Sequence, residues 1–188
     1  MFRKMLEGWF RDYSDASCND FTKALLRDDL FAMNHYINEI TMVTFRHFDT
    51  GKKPSDKAEP ECFYHGFVLG LIADLSDRYI ITSNRESGFG RYDVMLEPKG
   101  VRGENTPVII MEFKVHNPKS ERDLQETVRA ALIQINEKNY ASAFVAKGIP
   151  KEHIREYGFA FKGKNVRIDG GDMHKVQTML ERAVGVTN

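Results

Sequence analysis

The sequence predicts a mixed α/β fold, and three observations predict it. Residues 1–60 carry their apolar side chains at helical spacing. After a polar, proline-containing stretch, short runs rich in β-branched residues alternate with turn signals. A long amphipathic segment then interrupts the strands, and a strand–helix–strand crossover implies at least one parallel pair beside antiparallel neighbours. A mixed sheet with helices packed on it satisfies all three.

In the first segment, Phe2, Met5, Leu6, Trp9, Phe10 and Tyr13 form one helical stripe. A capping cluster at Ser17 to Asp20 predicts a second helix with Phe21, Leu25 and Leu26 inward. A third is predicted over Asp29–Thr44, with Leu30, Met33, Ile37, Ile40 and Met42 among its apolar positions. Asp49 to Pro60 lacks periodicity and holds prolines and a glycine, so it reads as a surface loop. It divides the chain into a helical segment, residues 1–60, and a larger domain, residues 61–188. A helix over Glu61–Leu75 opens that domain. Strands follow at Tyr79–Asn84, Arg91–Glu97 and Val108–Val115, with Gly88, Gly90 and the stretch Pro98 to Pro107 as connections. The spacing then predicts a helix from Ser120, with Leu124, Val128, Ala131, Leu132 and Ile135 on one face. A strand at Ala143–Lys147, a short helix from Pro150, a strand at Phe159–Ile168 and a helix near Asp172–Val184 complete the expectation.

Composition narrows the class. Of 188 residues, 41% are hydrophobic and 29% charged, ordinary for a globular protein with a real core. The 27 basic and 27 acidic residues cancel, so any grip on nucleic acid must come from local arrangement. Cys18 and Cys62 are too few for a disulfide scaffold and lack metal-ligand spacing with histidines. The N-terminus lacks the apolar run and cleavage site of a signal peptide, and no apolar run reaches the ~20 residues that span a bilayer. A soluble, cytoplasmic protein is expected.

The chemistry concentrates in Pro107-Val-Ile-Ile-Met-Glu-Phe-Lys-Val115. On a strand, Glu112 and Lys114 share one face and Phe113 takes the other. Charges beside so hydrophobic a strand are costly unless paired, hydrogen-bonded or bound to a metal. On the preceding strand, Arg91, Asp93 and Met95 share a face, opposite Tyr92, Val94 and Leu96. If the two strands are neighbours, Asp93 approaches Glu112 and Lys114. Two carboxylates converging near one lysine suit a hard divalent cation with oxygen ligands, and the Phe113 carbonyl could add a further oxygen. Lys114 could orient water or stabilise charge on a phosphate, which is metal-assisted phosphodiester hydrolysis.

Asp93, Glu112, Phe113 and Lys114, in this order of elements, resemble the PD-(D/E)XK nuclease superfamily. More specifically, residues from about Phe63 to Lys164 are similar to the nuclease-like C-terminal domain of bacterial AAA-ATPase-like proteins. That likeness is carried by Phe63-Tyr-His-Gly-Phe-Val-Leu-Gly70, Ser83-Asn-Arg-Glu-Ser-Gly-Phe-Gly-Arg-Tyr-Asp93, Met111-Glu-Phe-Lys114, Gln134-Ile-Asn-Glu-Lys-Asn-Tyr140 and Tyr157-Gly-Phe-Ala-Phe-Lys-Gly-Lys164. The resemblance implies a restriction-endonuclease-like αβββαβ core preceded by a helical segment. It implies Mg2+ or Mn2+ held by Asp93, Glu112 and the Phe113 carbonyl, with Lys114 and Gln134 completing the catalytic set. DNA is the implied substrate, with RNA the alternative, and an AAA-ATPase-like domain in cis or in trans is the implied partner. The chain carries no Gly-x-x-x-x-Gly-Lys-Ser/Thr of its own. Where many members place a glutamate on the first core helix, it offers His65 and no carboxylate until Asp74.

Each flanking residue has two readings. Glu86 reaches the metal site or is an exposed loop carboxylate. Arg91 contacts a phosphate or serves as a counter-ion. His65 lines the pocket or is a satisfied core histidine. Tyr140 joins the site or packs with a hydrogen-bonded hydroxyl. Lys162 and Lys164 bind backbone phosphates or decorate a solvated turn. For the whole chain, the alternative to a nuclease is a non-catalytic module that binds nucleic acid or protein beside an ATPase.

Overall fold

The computed structural model describes residues 15–44, 59–83, 86–87, 90–91, 93–100 and 106–185. The helical stripe expected over Phe2–Tyr13 and most of the loop expected over Asp49–Pro60 lie outside them.

Helices α1 (Asp15–Arg27) and α2 (Leu30–Thr44) pack together, and α3 (Glu59–Leu71) follows, extended by a 3-10 turn at Ala73–Asp77. The strands are β1 (Tyr79–Ser83), β2 (Glu86–Ser87), β3 (Gly90–Arg91), β4 (Val94–Pro98) and β5 (Val108–Val115). Helix α4 (Leu124–Lys138) and short α5 (Ser142–Ala146) cross to β6 (Ile154–Lys162), β7 (Asn165–Asp172) and the closing helix α6 (Met173–Gly185). The main sheet runs β1-β4-β5-β6-β7, and β2 and β3 form a separate two-stranded ribbon. Among the described residues, β5 and β6 pair in parallel, joined by the α4 crossover, and the other neighbours in the main sheet are antiparallel. The expected mixed sheet with flanking helices and an α, three-strand, α, strand order is therefore present.

Side-chain alternation divides the interior into two layers. Val94, Leu96, Ile109, Met111, Phe113, Tyr157, Phe159 and Phe161 face α1, α2 and α3, meeting Phe21, Leu25, Met33, Ile37, Ile40 and Phe67. Met95, Val108, Ile110 and Ala160 face the other way, onto Val128, Leu132, Ile135, Phe144 and Val176. The helices before residue 60 thus share a core with the sheet.

The open edge of β7 is closed by side chains rather than by another strand. Asn34 and Asn38, one helical turn apart on α2, each accept a β7 N–H and donate back to the same residue's carbonyl, at Ile168 and Val166 respectively. One turn on, the Thr41 hydroxyl donates to the Lys164 carbonyl at 2.7 Å. Each amide presents one donor and one acceptor as a peptide group does, so this row satisfies an edge that would otherwise be a template for another chain.

Several boundaries differ from expectation. Ala143–Lys147, expected as a strand, is helix α5. Its short apolar run fits either structure; the Phe144 and Val145 N–H groups both donate to the Ala141 carbonyl, the local bonding of a helix. Phe159–Ile168, expected as one strand, is a hairpin: Lys162 pairs with Asn165 across Gly163–Lys164. Gly163 has φ +59° at the first turn position, where a type II′ connection favours glycine. Arg91–Glu97 is not one strand either, since Gly90–Arg91 belongs to the ribbon and β4 begins at Val94. The long helix begins at Leu124 rather than Ser120, capped by Asp123, whose carboxylate accepts from the Glu126 N–H.

Candidate active site

The site forms where β4 and β5 stop pairing. The ladder ends with Val94 opposite Met111. One residue earlier, at the bend before β4, buried Asp93 turns its carboxylate onto β5, and Oδ2 accepts the Phe113 N–H at 2.8 Å. A side-chain acceptor thus replaces the next backbone rung. A strand residue sends its N–H and C=O to the same edge, so the Phe113 carbonyl leaves β5 on the Asp93 side.

Phe113 itself points into the first core layer, edge-on to Phe159 with ring centroids 5.2 Å apart. Glu112 and Lys114 point oppositely, toward α4. Glu112 is only 4% exposed. The α4 side chain of Gln134 bridges the two: its Nε2 donates a short hydrogen bond to Glu112 Oε1, and its Oε1 accepts from Lys114 Nζ at 2.8 Å. An amide dipole therefore stands between the cation and the anion, its positive end toward the carboxylate.

Close approach of α4 makes the bridge reach. Gly158 on β6 pairs with Glu112. A Cβ there would lie 2.8 Å from the Val128 carbonyl and 3.1 Å from the Ala131 Cβ, so only glycine lets the helix backbone sit this near the sheet. Tyr140, just beyond α4, is buried at the same place and hydrogen-bonded to Gln134. Burial pushes its phenol up and the negative charges of Glu112 and Asp93 add to the effect, against the hydrogen bond with Gln134.

The structure thus brings together Asp93, Glu112, the Phe113 backbone, Lys114, Gln134 and Tyr140. His65 lies across the sheet from Glu112 and Lys114, buried, hydrogen-bonded with Ser83 Oγ at 2.8 Å and edge-on to the Phe113 ring. Glu86 and Arg91 are opposite each other in the ribbon backbone; their side chains lie outside what is described. Lys162 is exposed and Lys164 half-buried in the β6–β7 turn. Because β6 is parallel to β5, that turn emerges at the same end of the sheet as Lys114. Tyr64 anchors it by donating to the Gly163 carbonyl at 2.9 Å. Among the described residues, no three His, Cys, Asp or Glu side chains gather to hold a metal.

One polar cluster beside Lys114 escapes the sequence reading. His116 continues the Glu112–Lys114 face and is buried. Its Nδ1 lies 3.0 Å from Thr127 Oγ1, which donates to Glu121 Oε2 at 2.6 Å. The only available sequence signal was a histidine two positions beyond the lysine.

A family model described as the PD-(D/E)XK nuclease superfamily matches residues 59–170, more than half of the chain. No curated protein and no solved structure matches it.

Proposed function

This chain belongs to the PD-(D/E)XK nuclease superfamily, and we propose that it is a divalent-metal-dependent nuclease that hydrolyses DNA phosphodiesters. The observation that carries the proposal is the convergence of Asp93, Glu112 and Lys114 at one end of the sheet, with Gln134 between the last two.

The donor set fits a hard cation. Asp93 and Glu112 supply carboxylate oxygens and Phe113 a carbonyl oxygen, which suits Mg2+ or Mn2+, ions that complete their shell with water and substrate oxygens. Such an ion would supply Lewis acidity and lower the pKa of water. The remaining roles fall to the chain's own groups. Lys114 places an ammonium where it orients the attacking water and offsets charge developing on the phosphate. Gln134 stands between that ammonium and Glu112 and bonds both. Tyr140 holds Gln134. Lys162 and Lys164, at the same sheet end, are placed to meet flanking phosphates, a local basic grip in a chain of zero net charge. An AAA-ATPase-like partner, in cis or in trans, would present the substrate.

Cleavage of DNA in Mg2+ or Mn2+ tests the reading, with RNA assayed in parallel. Glu112→Ala and Lys114→Ala are expected to abolish cleavage without unfolding the protein. A wild-type protein that cuts neither nucleic acid, or variants that still cut, would refute it.

A further inference from the structure

The turn that follows β5 is more firmly held than its exposure requires. Asn117, Pro118, Lys119 and Ser120 are all exposed. Asn117 nevertheless closes the turn on itself. Its carbonyl accepts the Ser120 and Glu121 N–H groups at 3.1 and 2.9 Å, and its side-chain oxygen accepts the Lys119 N–H at 3.1 Å. Its own N–H donates to Glu121 Oε2 at 2.9 Å. Pro118 fixes one more φ and brings no N–H to satisfy. The turn is also tied to the interior. The same Glu121 oxygen accepts the Thr127 hydroxyl at 2.6 Å, and Thr127 Oγ1 lies 3.0 Å from Nδ1 of buried His116. The His116 N–H in turn donates to the Phe161 carbonyl at 2.9 Å. Sheet, turn and helix α4 are thus joined through one carboxylate oxygen, and the hydrolytic reading gives this network no task.

A basic rim runs past this turn. Lys162 lies two residues beyond Ala160, the partner of Lys114, so it shares that lysine's face of the sheet. One strand across and two residues on, the two Cα atoms are about 8 Å apart. The turn stands on the same face, because it leads β5 into α4, which packs there. The other charges around it are committed. Arg122 pairs with Glu126 at 2.5 Å, Asp123 caps α4, and Glu121 is bound inside the turn. Among the described residues, Lys119 and Lys162 have no carboxylate within ion-pair reach, whereas Lys23, Lys147 and Lys175 do.

We propose that the β5–α4 turn is a preformed contact for the backbone of the nucleic-acid substrate, in which Lys119 takes a phosphate flanking the scissile one. The contact rests on the nuclease reading, in which Lys114 faces the scissile phosphate. An ammonium on a phosphodiester anion supplies affinity and register without reading sequence. The buried network supplies rigidity. A turn that is already ordered loses little freedom on binding, so more of the attraction appears as affinity. In a chain of zero net charge, local placement of this kind is how a polyanion is gripped.

The test is fluorescence anisotropy of a labelled DNA duplex over a salt series, with Ca2+ in place of Mg2+ and RNA of the same sequence in parallel. Lys119→Ala should weaken binding roughly fivefold at 0.1 M salt and reduce the slope of log affinity against log salt by about one. Lys151→Ala removes the same charge from the exposed 3-10 turn before β6, at the opposite end of that strand, and should bind as wild type. Thr127→Val, its fold checked by thermal melting, should weaken binding about two- to threefold by loosening the turn. The double variant Lys119→Ala/Thr127→Val should bind no more weakly than Lys119→Ala, because both changes act through one contact. Wild-type affinity and slope in Lys119→Ala overturn the inference whether or not the protein cleaves. So does an equal loss in Lys151→Ala, which would make the effect one of net charge. Additive losses in the double variant overturn the task given to the buried network. A wild-type protein that binds neither nucleic acid overturns the inference and the nuclease reading together. The expected losses in a protein that cuts nothing support the contact and refute hydrolysis alone.

Discussion

Replacing Glu156 with glutamine is expected to stabilise the protein increasingly as pH rises. Glu156 lies on β6, 4% exposed, and burial lifts its carboxyl from the ordinary 4.5 to about 7. In the unfolded chain the group ionises near 4.5; in the fold it holds its proton to about pH 7. Between those values unfolding releases a proton, so stability falls as pH rises and levels off above the folded pKa. The gap between 4.5 and about 7 corresponds to about 3 kcal/mol at the plateau. Roughly 1 kcal/mol of it is already lost at pH 5, and the larger part falls between pH 5 and 8. Glutamine has nearly the same shape and does not titrate. Urea denaturation of wild type and Glu156→Gln at both pH values isolates the effect, because every other titrating group cancels in the difference. The variant's advantage should grow by about 2–3 kcal/mol from pH 5 to pH 8. A difference that stays constant with pH would refute the reasoning, since it would place Glu156 ionisation at the same pH in both states.

Three further outcomes follow from the same geometry. Asp93→Asn keeps an oxygen for the Phe113 N–H but loses the charge, so thermal stability should stay near wild type while calorimetric Mn2+ affinity falls at least tenfold. Gly158→Ala should cost about 1–3 kcal/mol in chemical denaturation, because the new methyl group drives α4 off the sheet, and should also slow cleavage by lengthening the reach of Gln134 to Glu112 and Lys114. Asn38→Ala leaves the Val166 N–H and carbonyl without their partner, so a loss of about 1–3 kcal/mol is expected, with concentration-dependent association by light scattering as the uncovered β7 edge finds another chain.

Much of the site was legible because its logic is local. Strand alternation alone places Glu112 and Lys114 on one face and Phe113 on the other, and the order of elements makes Asp93 a neighbour. Gln134 and Tyr140 were reachable only through the family resemblance, since nothing in an amphipathic helix distinguishes a polar residue that turns inward. The His116–Thr127–Glu121 network had no comparable signal: its members are joined by how the connection between β5 and α4 folds back, which periodicity does not encode. The misread segments failed for related reasons. Ala143–Lys147 is too short for its apolar content to separate strand from helix, and the apolar run from Phe159 masked a two-residue turn at Gly163–Lys164.

What the sequence determined by itself is the class of fold and the chemical character of the β5 end, because alternation, turn residues and helical spacing act over a few residues. What only the tertiary structure decided is distance. Gly158 lets α4 settle against β6, and that approach places Gln134 between Lys114 and Glu112. Asp93 takes up the Phe113 amide only because β4 begins one residue later, and Asn34 and Asn38 meet β7 only once α2 lies along it. Each contact joins residues far apart in the chain, and packing, rather than local propensity, sets how closely they approach.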